Sequence, residues 1–181
     1  ASLLMYQNPK EIDEDKILKA ISKFSDEKYA MHVYSLHVQM KHNDAFRENF
    51  RLQDLSMKMQ KAWSDRLPSS TTKDYVHMAN ILNNRKFLSD SAYKILAQVL
   101  EYPMEARAFQ NVFKHYGVKG GNTSFVLTHV VYCKMQDNSS MEMAIFFNNL
   151  TPQEEKHLST WLDPFEAQVI FDANFRKKLN F

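Results

Sequence analysis

The chain has 181 residues, 44% of them hydrophobic and 24% charged, with a formal net charge of +2. That length and composition suit one ordinary globular domain with its own core, and they exclude intrinsic disorder; a single cysteine, Cys133, excludes an intrachain disulfide framework. A charge so near zero gives no argument for nucleic acid by itself, and no apolar run approaches the roughly 18 residues of a membrane span.

No signal-peptide pattern opens the chain, so the expectation is an intracellular protein, cytoplasmic or nuclear, that does not engage a membrane. Ala1-Ser2 is not a natural start, and the chain also reads as a fragment of something longer. Three Asn-x-Ser/Thr triplets, at Asn122, Asn138 and Asn149, are read as coincidence. Glycine is scarce, three residues all within 117–121, whereas methionine is abundant at ten. Few glycines mean few positions that need positive φ, and methionine forms helices well.

From the N-terminus, Asn8-Pro9-Lys10-Glu11 reads as N-cap, N1, N2, N3 of a helix, and the same grammar recurs at Thr151-Pro152-Gln153-Glu154 and Asp163-Pro164-Phe165-Glu166. Ile17, Ile21 and Phe24 continue in helical steps, followed by Tyr29, Val33, Leu36 and Met40. His42-Asn43-Asp44 is the expected break. Phe46 and Phe50 then flank a stripe of Leu52, Leu55, Met59 and Trp63, ended by Pro68 and Ser69-Ser70-Thr71-Thr72. Tyr75, Met78, Ala79 and Leu82 predict the next helix. Ala92, Ile95, Leu96 and Val99 predict another, starting near Ser89-Asp90. Phe109, Val112, Phe113 and Tyr116 predict a third, with Gly117 as its left-handed C′ residue.

Residues 124–135 are ambiguous. Their β-branched and aromatic content favours a strand, pairing with 141–147 across Asp137-Asn138-Ser139-Ser140. A buried helix with Val126, Val130 and Cys133 on its inner face is the preferred alternative. Thr151 and Asp163 then open the last two helices, with Phe171, Phe175 and Leu179 facing inward. The fold class expected is therefore mainly α: a single domain over 1–181, an irregular bundle of about eight to ten helices, with one β-hairpin within 124–147 as the open alternative and Gly117–Gly121 as the hinge.

The usual grammars of chemistry are weak. Lys119, Gly120 and Gly121 sit in a glycine-rich segment that resembles a phosphate loop in composition, but the order Lys-Ser/Thr after the last glycine is absent; a connector after a helix is the plainer reading. Asp74-x-x-His77 and Glu154-x-x-His157 place an acid and a histidine on one helical face, yet both fall in first turns, where acids cap. His129 and Cys133 are four apart among Val, Leu and Phe, which reads as a structural thiol. No catalytic residue, metal ligand or cofactor is expected.

Two binding readings remain. Arg47, Arg51, Lys58 and Lys61, then Arg85 and Lys86, then Arg176, Lys177 and Lys178 cluster on helices or at helix ends near aromatics, as a nucleic-acid binder requires; they also sit where the helix dipole favours cations. Met57, Met59, Met135, Met141 and Met143, with thirteen Phe and eight Tyr in the chain, suit an adaptable surface for a protein partner. The preferred expectation is a non-catalytic adaptor or assembly subunit. An RNA- or nucleoprotein-type binder and an enzyme with a dispersed site are the alternatives.

Overall fold

A computed structural model describes residues 13–48 and 56–179 of the chain, which divides into two compact units, Ala1–Leu67 and Pro68–Phe181. The Asn8 capping box, Phe50, Arg51, Leu52 and Leu55 lie outside the described residues.

The first unit is helical: α1 (Glu14–Ser22), α2 (Asp26–His42), α3 (Asp44–Glu48) and α4 (Met57–Ser64). Asp13, Ser25 and Ser56 cap α1, α2 and α4, each accepting from a backbone N–H three residues on. The break at His42-Asn43-Asp44 falls where the polar run predicted it, and the Asn43 side chain accepts from Phe46 N at 3.0 Å. Ile17, Ile21, Tyr29 and Met59 form the core, with Leu18 and Phe24 packed against it. Arg66 closes the end of α1. Its guanidinium donates to the Ile21 and Phe24 carbonyls, pairs with Asp26 at 3.2 Å and lies over the Tyr29 ring.

The second unit corrects the expected fold class. It is not an irregular helical bundle but an antiparallel sheet between helices, with α5 (Thr72–Asn84), α6 (Asp90–Leu100), a 3-10 turn (Tyr102–Glu105) and α7 (Arg107–Val112) preceding β1 (Phe113–Thr123), β2 (Val126–Met135) and β3 (Ser140–Phe147), and α8 (Pro152–Phe171) and α9 (Ala173–Lys178) following. The sheet order is β1-β2-β3. The buried helix over 124–135 is thereby overturned in favour of the hairpin. Its turn carries Asn138 at φ 72°, and the Asp137 carboxylate accepts from Ser139 N and Oγ at 2.8 and 2.6 Å.

The third predicted helix stops early. The apolar 3–4 spacing of Phe109, Val112, Phe113 and Tyr116 runs through α7 and then into β1, so the period outlasts the helix. Gly117, Gly120 and Gly121 are strand residues, none at positive φ, and neither cap a helix nor form a hinge loop. They are glycines because side chains from β2 lie across the strand. A Cβ on Gly117 would meet Cζ of the Tyr132 ring at 2.1 Å, and one on Gly120 would meet the His129 ring at 3.0 Å.

Strand alternation gives the sheet two covered faces. Tyr116, Val118, Val131 and Cys133 share one face with Ile170 of α8. Val130, Tyr132, Ala144 and Phe146 share the other with Tyr75, Ala79 and Leu82 of α5 and Leu100 of α6. The unit is thus three layers, α/β/α. Thr71 and Thr151 open α5 and α8 with full capping boxes to Asp74 and Glu154, and Ser89 caps α6. Asp163-Pro164 does not open a helix. Pro164 lies inside α8, whose Leu162, Glu166, Val169 and Ile170 are buried at helical spacing, so packing carries the helix through the proline.

A buried polar chain pins α5 to the sheet. Asn83 Nδ2 donates to the Cys133 carbonyl at 2.9 Å and to Glu142 at 2.6 Å, which leaves its Oδ1 to accept from His115 Nε2 at 2.6 Å. Burial pushes the His115 pKa below its ordinary value, and the neighbouring Arg85 adds to the effect. Among the described residues no helix is long and apolar enough to cross a membrane.

Candidate functional site

Edge strands leave one row of backbone donors and acceptors without a neighbour. β3 is such a strand: it pairs with β2 on one side, and its other side carries no further strand among the described residues. A groove of about 420 Å³ runs there. Met143, Ile145 and Phe147, which point to the α8 face, line it together with Ala144 and Phe146, which point to the α5 face. Residues from both faces meet in one groove only if it wraps around the outer edge of the strand. Its walls are Thr72 at the start of α5 and Leu158, Trp161 and Phe165 on α8. Trp161 is 58% exposed, a large apolar side chain with no core to fill.

A second concavity lies at the other side of the sheet, between β1, α7 and α8, with a volume of about 540 Å³. Aromatic rings dominate its wall: Phe109, Phe113 and Tyr116 pack within 5.0–5.8 Å of one another, and Phe171 lies 5.9 Å from Phe113. Its polar end is His129 of β2, whose Nδ1 is hydrogen-bonded to the Glu166 carboxylate of α8. Glu166 is 4% exposed, an acid held in the core by that partner. Asp163, one helical turn earlier, is at the same wall. Burial raises the Tyr116 pKa, with Glu166 and Asp163 adding to it, so the phenol keeps its proton.

The methionines proposed for a partner surface separate. Met143 lies in the β3 groove and Met57 is exposed on α4. Met59 is 1% exposed and belongs to the first unit's core, so it is corrected to a structural residue. Met135 and Met141 pack against the sheet's core cluster.

The cations proposed for nucleic acid are mostly committed to local partners. Arg47 pairs with Asp44 and Lys61 with Asp65, while Lys58 lies 3.4 Å from Asp15. Arg85 makes a two-pronged pair with Glu101 at 2.6 and 2.7 Å. Arg176 donates to the Val169 and Ile170 carbonyls near the end of α8. Lys86, Lys177 and Lys178 are exposed. Lys58 and Lys61 share α4, and Arg176, Lys177 and Lys178 share α9.

Lys119, Gly120 and Gly121 are paired in register with Val130, His129 and Thr128, so they form extended strand where a phosphate cradle needs a loop. Asp74 and Glu154 are engaged in their capping boxes, and the described residues hold no group of three or more His, Cys, Asp or Glu suited to a metal ion. Cys133 is 0% exposed and burial pushes its thiol up to about 11, which removes it as a nucleophile.

Sequence reasoning singled out Met143 and His129 but assembled neither cavity. Glu166 and His129 are 37 residues apart and meet only because β2 and α8 pack. A glutamate in step with Leu162 and Ile170 was the available signal for a buried acid.

No known protein family, curated protein or solved structure matches the chain.

Proposed function

We propose that the chain is a non-catalytic protein-interaction module whose second unit takes an extended segment of a protein partner by strand addition to β3. The observation that carries this reading is the groove that straddles the outer edge of β3, lined from both faces of the strand. An added strand has its backbone bonds supplied by β3. Its side chains alternate between the Trp161–Phe165 wall and the Phe146–Thr72 wall. The occupant is therefore a peptide of about six to eight residues in extended form, apolar on the face toward Trp161. Half-buried Met143 and exposed Trp161 are the adaptable and anchoring contacts that such surfaces favour.

The test is selection of octapeptides from a random library on the full chain, followed by titration with Trp161 fluorescence in a Trp63→Phe background. Selected peptides should show apolar residues at every second position, and their affinity should change little between 50 and 300 mM salt. Met143→Glu should weaken them by tenfold or more. Peptides without alternation, or binding unaffected by Met143→Glu, would contradict the reading. Capture of RNA with affinity falling steeply in salt would favour the basic helix ends instead. Concentration-dependent self-association abolished by Met143→Glu would replace the foreign peptide by a second copy of the chain.

A further inference from the structure

We infer that the cavity between β1, α7 and α8 is a small-molecule site for a neutral or cationic planar aromatic ligand that carries a hydrogen-bond donor. The inference does not depend on the β3 groove, which lies at the opposite edge of the sheet.

Size comes first. A volume of about 540 Å³ falls within the range of small-ligand pockets and holds a two- or three-ring molecule. The wall sets the shape, since Phe109, Phe113, Tyr116 and Phe171 present rings against which a flat molecule stacks or packs edge-on.

The polar end sets the chemistry. The Glu166 carboxylate accepts from His129 Nδ1, so in the neutral imidazole the proton sits on that nitrogen and Nε2 is the acceptor. Nε2 makes no hydrogen bond among the described residues, and no buried side-chain nitrogen or oxygen among them lacks a partner, so Nε2 opens onto accessible space. Across the strand pair, the Cδ2–Nε2 edge of the ring lies toward Gly120, within 3.0 and 3.6 Å of where a Cβ would stand, and His129 lines the cavity. A phenol, indole N–H or amide N–H is the complement of such an acceptor.

Charge sets the exclusion. Two carboxyl side chains, Asp163 and Glu166, line this mostly apolar wall with one imidazole, so an anionic ligand is repelled where a cation is attracted by both acids and rings.

The experiment titrates the full chain by calorimetry with 2-naphthol, 2-methoxynaphthalene and 2-naphthoate, which share a ring and differ in donor and charge. 2-Naphthol should bind about tenfold more tightly than 2-methoxynaphthalene, the difference one hydrogen bond supplies, and 2-naphthoate should bind weakest. In His129→Leu the naphthol-to-methoxynaphthalene ratio should collapse to about one while 2-methoxynaphthalene still binds, an outcome that loss of folding does not imitate. Ala108→Trp and Ala167→Trp alter exposed positions at the wall and should abolish binding of all three without loss of the far-UV circular dichroism signal. No binding of any probe, equal affinity for naphthol and its methyl ether, a ratio unchanged by His129→Leu, or preference for naphthoate would each overturn the assignment.

Discussion

Replacing Gly117 by alanine adds one methyl group, and the structure gives that methyl no room. Its Cβ would stand 2.1 Å from Tyr132 Cζ, 2.4 Å from Cε1 and 2.5 Å from Oη. Tyr132 cannot yield a few tenths of an ångström; the ring must leave. It is 3% exposed, packs in the cluster with Ala79 and Val130, and donates its hydroxyl to Glu101 at 3.2 Å. Expelling a large aromatic side chain costs about 3–5 kcal/mol, with about 1 kcal/mol more for the lost hydrogen bond. A domain's whole stability is about 5–15 kcal/mol. The assay is urea unfolding followed by Trp161 emission in a Trp63→Phe chain. In a Tyr132→Ala background the same Gly117→Ala change should be neutral or stabilising by about 0.5 kcal/mol, since alanine is ordinarily the better strand residue. A coupling energy of about 4–6 kcal/mol between the two positions is expected from those figures. If Gly117→Ala costs less than about 0.5 kcal/mol alone, or as much with Tyr132 removed as with it present, the close approach of ring and strand is refuted.

Three further expectations follow from the same unit. His115 is held neutral by burial, with its pKa lowered in the fold, so the unfolded chain takes up the proton first. Stability from this residue is full above its ordinary value near 6.5 and declines as pH falls toward the folded value, and His115→Gln should flatten that decline between pH 7 and 5 in unfolding titrations. The Cys133 thiol, fully buried and pushed up to about 11, should react with an aromatic disulfide reagent only at the rate of unfolding; fast native-state reaction would contradict its placement. Thr151→Ala removes the α8 capping box and should cost about 1 kcal/mol in the same urea assay, whereas Asp163→Ala, inside the helix, should show no capping loss.

The contrast between Thr151 and Asp163 shows how far local grammar reaches. Both precede Pro-x-Glu, and only one caps a helix. The other is overridden because Leu162, Glu166, Val169 and Ile170 bury one continuous stripe against the sheet. Caps with no such competition, at Ser89 and Thr151, and the break at Asn43 were legible in the chain. The sheet was half legible. β-Branched residues marked β2, and Asp137-Asn138 marked its turn, but β1 was hidden by its glycines, which weaken a strand on their own. They are favourable only once Tyr132 and His129 lie across them, a relation between strands that no local pattern encodes. The candidate sites depend on the same long-range pairing. Met143 and Trp161 come together across β3 and α8, as do His129 and Glu166 across β2 and α8.

The proposal for β3 is tested most directly by amide hydrogen exchange over Ser140–Phe147, with and without a selected octapeptide. An added strand would protect alternate backbone amides of β3, those on its outer edge, and leave the amides already bonded to β2 unchanged. Protection confined to another element, or no change along β3 at saturating peptide, would contradict the account.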